Sequence, residues 1–261
     1  MKQKFLCLEN GERIFCCFTN AQKGNQWFIF CHGLFHDKNE SWFILSKLRN
    51  KLANETFSIC QYDNRGCGDS SGHMNLHNMI NDIQFIYNYI KGKYEPDKIY
   101  LVGVGFGCNI ACSIADYIDG IILLNPTYGE IFHFDRFFGY EKRDSDKILN
   151  FTEEIISKDL MNILENSGIL YWNFYGNCIS YKELYEFSNY KLGTQMKNIN
   201  FPCWQALVSK SKTDVISSLL NYKEKDYRNN LQIIDSDPLF TNPKIIDNIL
   251  EIIVQWLKCE I

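Results

Sequence analysis

Four short apolar runs, Trp27–Cys31, Phe57–Tyr62, Lys98–Val102 and Gly120–Leu124, alternate along the chain with longer segments of helical periodicity. Runs without polar alternation are strands covered on both faces, and strands separated by helices pair in parallel. The chain is thereby confined to an α/β fold, with a mostly parallel central sheet and helices on both faces. Ile83, Ile86, Tyr87 and Ile90 form one helical stripe, and Ile110, Ile114 and Ile118 another. Ile245, Ile246, Ile249, Ile253, Trp256 and Leu257 mark a last helix after Pro243, a residue suited to a helix start. The beginning differs: Asn10-Gly11 between two apolar stretches predicts an antiparallel hairpin.

Between Asn125 and Phe201 the strand-helix rhythm stops, and Ile155, Ile156, Leu160, Ile163 and Leu164 show helical spacing alone. Residues 127–200 are therefore read as a helical insertion within a single domain covering residues 1–261, and the sheet resumes at Trp204–Ser209. Aromatic residues crowd the insertion, among them Phe132, Phe137, Tyr171 and Phe174. They either line an apolar pocket or form the insertion's own core.

A net charge of −4 without a Lys/Arg stripe argues against a nucleic-acid partner. The 11 cysteines are scattered through a chain too large to need a disulfide framework, and no C-x-x-C pair recurs at zinc spacing, so buried thiols and no metal are expected. The N-terminal residues turn polar too soon for a signal peptide, and no run reaches membrane-span length, so a cytoplasmic protein without a transmembrane segment is the expectation.

Three motifs carry the chemistry. Phe30-Cys31-His32-Gly33-Leu34 follows one strand, Tyr62-Asp63-Asn64-Arg65-Gly66-Cys67-Gly68-Asp69-Ser70-Ser71-Gly72 follows another, and Gly103-Val104-Gly105-Phe106-Gly107 joins a strand to a helix. The last has the strand-turn-helix outline of the G-x-S-x-G nucleophile elbow, with glycine where the serine stands. By these motifs and their order the chain resembles the α/β-hydrolase superfamily, in particular its lysophospholipase, monoglyceride-lipase and serine-aminopeptidase-like branch. The resemblance implies an α/β-hydrolase fold whose helical cap is the 127–200 insertion. It implies an oxyanion hole from the backbone N–H groups of Leu34 and Phe106, a bracing role for His32, and a structural glycine loop in which Asp63 and Arg65 pair. It places the triad acid at Asp214, in Ser209-Lys210-Ser211-Lys212-Thr213-Asp214-Val215, and the triad histidine at or beside Pro238. No histidine occurs after His133.

Without an Oγ at residue 105 or an imidazole near 238, acyl-enzyme chemistry lacks nucleophile and base. Asp214 is then a helix cap or a ligand for another polar group. Candidate substitutes are Cys67, read as the more exposed thiol, and the loop histidines His36 and His73; Cys108 is read as packing. His73 and His77 are spaced to share a helix face, but no third ligand completes a metal set. A non-hydrolytic protein that binds a small hydrophobic or acyl-type molecule, or a protein partner, is the leading expectation, with no cofactor. The alternative is an enzyme of changed chemistry: a lyase, a cyclase, an acyl transferase or an unconventional ester or thioester hydrolase working through the Leu34 and Phe106 amides. A remote alternative reads Gly103, Gly105 and Cys108 as an imperfect G-x-G-x-x-G dinucleotide fingerprint.

Overall fold

The structure, a computed structural model, describes residues 1–40, 43–127, 183, 186–187, 189–192, 194–195, 203–220, 231–237 and 239–260. Most of the predicted 127–200 insertion and Pro238 therefore lie outside the described residues.

The described strands are β1 (Lys2–Cys7), β2 (Arg13–Thr19), β3 (Gln26–Cys31), β4 (Ser58–Tyr62), β5 (Lys98–Val104), β6 (Gly120–Leu124), β7 (Cys203–Ser209) and β8 (Leu231–Ile234). They form one sheet in the order β1-β2-β4-β3-β5-β6-β7-β8, antiparallel at β1-β2 and β2-β4 and parallel from β4 onward. Every residue of β4 and β6 is buried: β6 reads as an unbroken apolar run, and β4 buries Ser58 and Gln61 along with its apolar residues. β1, at an edge, exposes four of its six residues. The hairpin expected at Asn10-Gly11 joins β1 to β2, with Gly11 at φ 86°.

The helices are α1 (Ile44–Asn54), α2 (Leu76–Tyr94), α3 (Gly107–Cys112), α4 (Thr213–Leu220) and α5 (Pro243–Glu260). Asn75 caps α2 by accepting the Asn78 N–H at 2.7 Å, and Met79, Ile83, Ile86 and Ile90 form its buried stripe. Side chains of β3 alternate between two cores. Trp27, Ile29 and Cys31 pack with α2 and α3 on one face, while Phe28 and Phe30 pack with α1 and α5 on the other.

The stripe through Ile110, Ile114 and Ile118 is buried but does not lie on one helix. α3 ends at Cys112, and a short 3₁₀ turn over Ala115–Tyr117 carries the chain to β6. The Ser113 hydroxyl contributes to that ending by bonding the Ile110 carbonyl at 2.6 Å.

The chain passes from β3 outward to β4 and then returns to the other side of β3 as β5. Such a reversal opens a crevice beyond the carboxyl ends of the two strands, where open α/β sheets bind ligands. The sheet order differs from the 3-2-1-4-5-6 order of dinucleotide-binding folds, which removes the support for the fingerprint reading.

Candidate functional site

The crevice is bounded by the turn after β5 and the loop after β3. In the turn, Gly105 has φ +55°, the left-handed region. Its three glycines differ in what they meet. A Cβ on Gly103 would lie 2.5 Å from Cys108 Cα, and one on Gly107 would lie 2.2 Å from the Cys31 carbonyl oxygen and 2.7 Å from that of His32. Among the described residues, a Cβ on Gly105 would have nothing within 4 Å. The flanking glycines are thus required by close packing of α3 on β3 and β5, whereas the central one faces open space. Gly105 is held by its own backbone: its N–H donates to the Leu124 carbonyl at 3.0 Å and its carbonyl accepts from Thr127 at 3.3 Å.

β3 and β5 pair with Cys31 opposite Gly103, and Leu34 and Phe106 each follow three residues after that paired position. Among the described residues neither backbone N–H meets an acceptor. The Phe106 amide stands at the start of α3. Phe106 also packs edge-on against the fully buried Phe187, with ring centroids 5.4 Å apart, and Asn109 Nδ2 donates to the Tyr190 carbonyl at 2.8 Å. Part of the 127–200 segment therefore lies directly on the elbow.

His32 braces the loop after β3. Its Nε2 accepts the Asn64 N–H at 3.0 Å, which places the ring proton on Nδ1, donating to the Gly33 carbonyl at 2.8 Å. Burial holds this imidazole below its ordinary pKa. In the same loop Glu40, with 4% of its side chain exposed, accepts the Gly33 N–H at 2.5 Å and lies 3.5 Å from His36 Nε2.

The expected Asp63–Arg65 pair does not form. Asp63, fully buried, accepts the Lys38 N–H at 2.7 Å, Lys38 Nζ at 2.8 Å and the Asp69 N–H at 2.9 Å. Arg65 turns the other way, to Asp82 at 2.6 Å and Glu12 at 2.9 Å. The glycine loop coils so tightly around Asp63 that a Cβ on Gly68 would lie 2.4 Å from its carboxylate. That coil draws Cys67 inward. Expected to be the more exposed thiol, it is 2% exposed, with Sγ 3.5 Å from Met74 Sδ. Burial above all, with the carboxylates of Asp63 and Asp82 adding to it, pushes this thiol far up, away from the thiolate form that a nucleophile needs. Cys108 is buried too, its Sγ 3.2 Å from the Gly103 carbonyl, and burial raises its pKa likewise.

His73 and His77 do not share a helix face, because α2 begins at Leu76. His73 Nε2 lies 2.6 Å from Glu183 Oε1, and His77 Nε2 lies 2.9 Å from Asn81 Nδ2. No cluster of three metal-ligating groups exists among the described residues, and none of the described helices is long and apolar enough to cross a membrane. The eight cysteines whose side chains are described are free thiols, seven of them buried.

Asp214 is exposed in the first turn of α4, and the polar contacts at that end of the sheet run through serines instead. Ser209 Oγ bonds the Ser236 carbonyl and lies 2.8 Å from Ser211 Oγ, tying the turn after β7 to the turn after β8. Asp237, beside Pro238, closes its own turn by accepting Leu239 N–H and Thr241 Oγ1, both at 2.8 Å.

Lys38, Glu40, Asp82 and Glu12 were not singled out from the sequence. Asp82 had a signal, a carboxylate on the apolar stripe of α2 between Met79 and Ile83. Glu40 had a weaker one, its i, i+4 spacing from His36.

This topology, with an elbow beyond β5 and an amide-bearing loop beyond β3, is an α/β-hydrolase fold. The family model described as alpha/beta hydrolase fold matches residues 26–153 of the chain. Among curated proteins, lysophosphatidylserine lipase ABHD12 of Danio rerio is 28% identical over 87 residues, covering 31% of this chain and 23% of that protein's length. Among solved structures, the α/β hydrolase GrgF from Penicillium sp. sh18 superposes with TM-score 0.71 at 16% identity, covering 99% of this chain and 98% of that one. Est1E from Butyrivibrio proteoclasticus, with ferulic acid bound, gives 0.70 at 14% identity, covering 98% and 99%. Mouse alpha/beta hydrolase domain-containing protein 10 gives 0.67 at 12% identity, covering 99% of each chain.

Proposed function

We propose that this α/β-hydrolase-fold chain has left serine acyl-enzyme chemistry and binds a small apolar molecule of acyl type in the crevice beyond β3 and β5. The observation that carries the reading is Gly105. It sits at the sharp turn between strand and helix with open space where a side chain would project, so the elbow is built but carries no nucleophilic atom. Support comes from the amides of Leu34 and Phe106, which meet no acceptor among the described residues and could take a carbonyl oxygen, and from the buried rings of Phe106 and Phe187 beside them. The proline at 238 and the exposure of Asp214 fit the same loss.

A second reading, an enzyme of changed chemistry, rests on the same two amides with water as nucleophile and a loop histidine as base. Of the loop histidines, His36 is paired with a carboxylate in the amide-bearing loop itself. The two readings separate in one assay series. The purified protein is tested for ester, thioester and peptide turnover, and its melting temperature is followed with neutral acyl esters added. The binding reading predicts raised melting temperatures and no turnover above a mock purification. Turnover that follows the protein through successive columns and disappears in His36→Ala overturns it in favour of the second.

A further inference from the structure

The loop between β3 and α1 is strained where the ligand amide originates. Phe35 and Glu40 both occupy the left-handed region, at φ 63° and 62°, a strained conformation for a residue with a side chain. Something must hold the loop there. Asp63 and Gln61 fasten its middle through the Lys38 N–H and carbonyl, at 2.7 and 2.8 Å. At the segment nearest the elbow two side chains hold Gly33: His32 Nδ1 donates to its carbonyl at 2.8 Å, and the Glu40 carboxylate takes its N–H at 2.5 Å.

That carboxylate is almost fully withdrawn from water, an expensive place for a charge. A Cβ built on Gly33 would lie 3.3 and 3.4 Å from its two oxygens and 3.4 Å from the Val104 carbonyl, so Gly33 sits close against both Glu40 and the residue leading into Gly105. His36 Nε2, 3.5 Å from Oε1, faces it from the other side of the loop. The N–H immediately after the one it takes is that of Leu34, which has no acceptor among the described residues.

We infer that Glu40 is the positioning residue of the ligand site: by engaging the Gly33 N–H across the strained turn, it keeps the Leu34 N–H free and directed to the crevice. This rests on the proposed binding of a ligand oxygen at Leu34 and Phe106. The role depends on reach and acceptor capacity more than on charge. The Glu40→Gln variant retains an oxygen at the same reach, whereas Glu40→Asp retains the charge but is one methylene short.

The test uses the full chain labelled with 15N-leucine, 15N-phenylalanine and 15N-glycine, titrated with methyl octanoate. In the wild type the ester should shift the Leu34 and Phe106 amides together. In Glu40→Ala and Glu40→Asp the Leu34 response should vanish while that of Phe106 persists, with affinity about tenfold weaker, as for the loss of one amide hydrogen bond. Glu40→Gln should keep both responses. A purely structural role would lower the melting temperature without separating the two amides or letting the glutamine variant rescue where the aspartate variant fails. Retention of the Leu34 shift in Glu40→Asp overturns the inference. An ester that shifts neither amide in the wild type removes the binding reading instead, and the positioning role is then decided in the ligand-free protein. Gly33 amide exchange should be at least about tenfold faster in Glu40→Asp than in Glu40→Gln, and equal rates overturn it.

Discussion

Substituting alanine in turn at Gly103, Gly105 and Gly107 tests whether the elbow is empty by packing or by chemistry. At Gly107 the new methyl would lie 2.2 Å from one backbone carbonyl oxygen and 2.7 Å from the next, both on the edge of β3. Ordinary contact is about 3.5 Å, so α3 must retreat from the sheet by roughly 1 Å, against backbone that cannot rotate away. Overpacking of this kind costs about 3 kcal/mol or more. Gly103→Ala meets Cys108 Cα at 2.5 Å and should cost about as much. Gly105→Ala meets nothing, and its cost should be the left-handed backbone penalty alone, about 1–2 kcal/mol. Urea unfolding of the three variants, followed by tryptophan fluorescence, gives the comparison directly. If Gly105→Ala destabilises as much as Gly107→Ala, the open space above the elbow is not there, and the reading of the site fails with it.

Other expectations follow from the same geometry. Gly105→Ser should fold at a similar cost to Gly105→Ala and show no ester turnover, because the chain has no histidine after His133 to serve as base; turnover would show that a loop histidine reaches the elbow. Because burial depresses the His32 pKa, the unfolded chain binds a proton that the folded chain refuses. Stability should therefore fall by about 1.4 kcal/mol per pH unit as pH drops below about 6.5, and His32→Gln should flatten that slope; an unchanged slope contradicts the assignment. Asp82→Ala leaves Arg65 without its buried partner and should cost about 3–5 kcal/mol in urea unfolding, where a loss under about 1 kcal/mol would place the pair in solvent. Cys67 should resist maleimide in the native protein and react on unfolding; fast native labelling contradicts its burial.

Much of the frame was legible in the sequence because burial on both faces writes itself as short apolar runs, unbroken in β6 and carrying Ser58 and Gln61 in β4. The elbow was legible for a related reason: two of its glycines answer to backbone contacts under 3 Å, and such demands leave a fixed spacing. Pairings across the fold were not. Asp63 and Arg65 are near neighbours in the chain, yet their partners, Lys38 and Asp82, come from the β3–α1 loop and α2. Cys67 looked exposed because glycine loops are usually surface loops, and only the coil around Asp63 shows otherwise. The length of α3 was overread because Ile110, Ile114 and Ile118 are buried whether or not one helix carries them.

The central proposal is that no serine of this chain is an activated nucleophile. Intact-mass analysis of the purified protein after incubation with a fluorophosphonate addresses it most directly, since that reagent reports an activated serine whatever the substrate. The unmodified mass of the chain is the result predicted. A stoichiometric adduct, lost on prior heat denaturation, would contradict it.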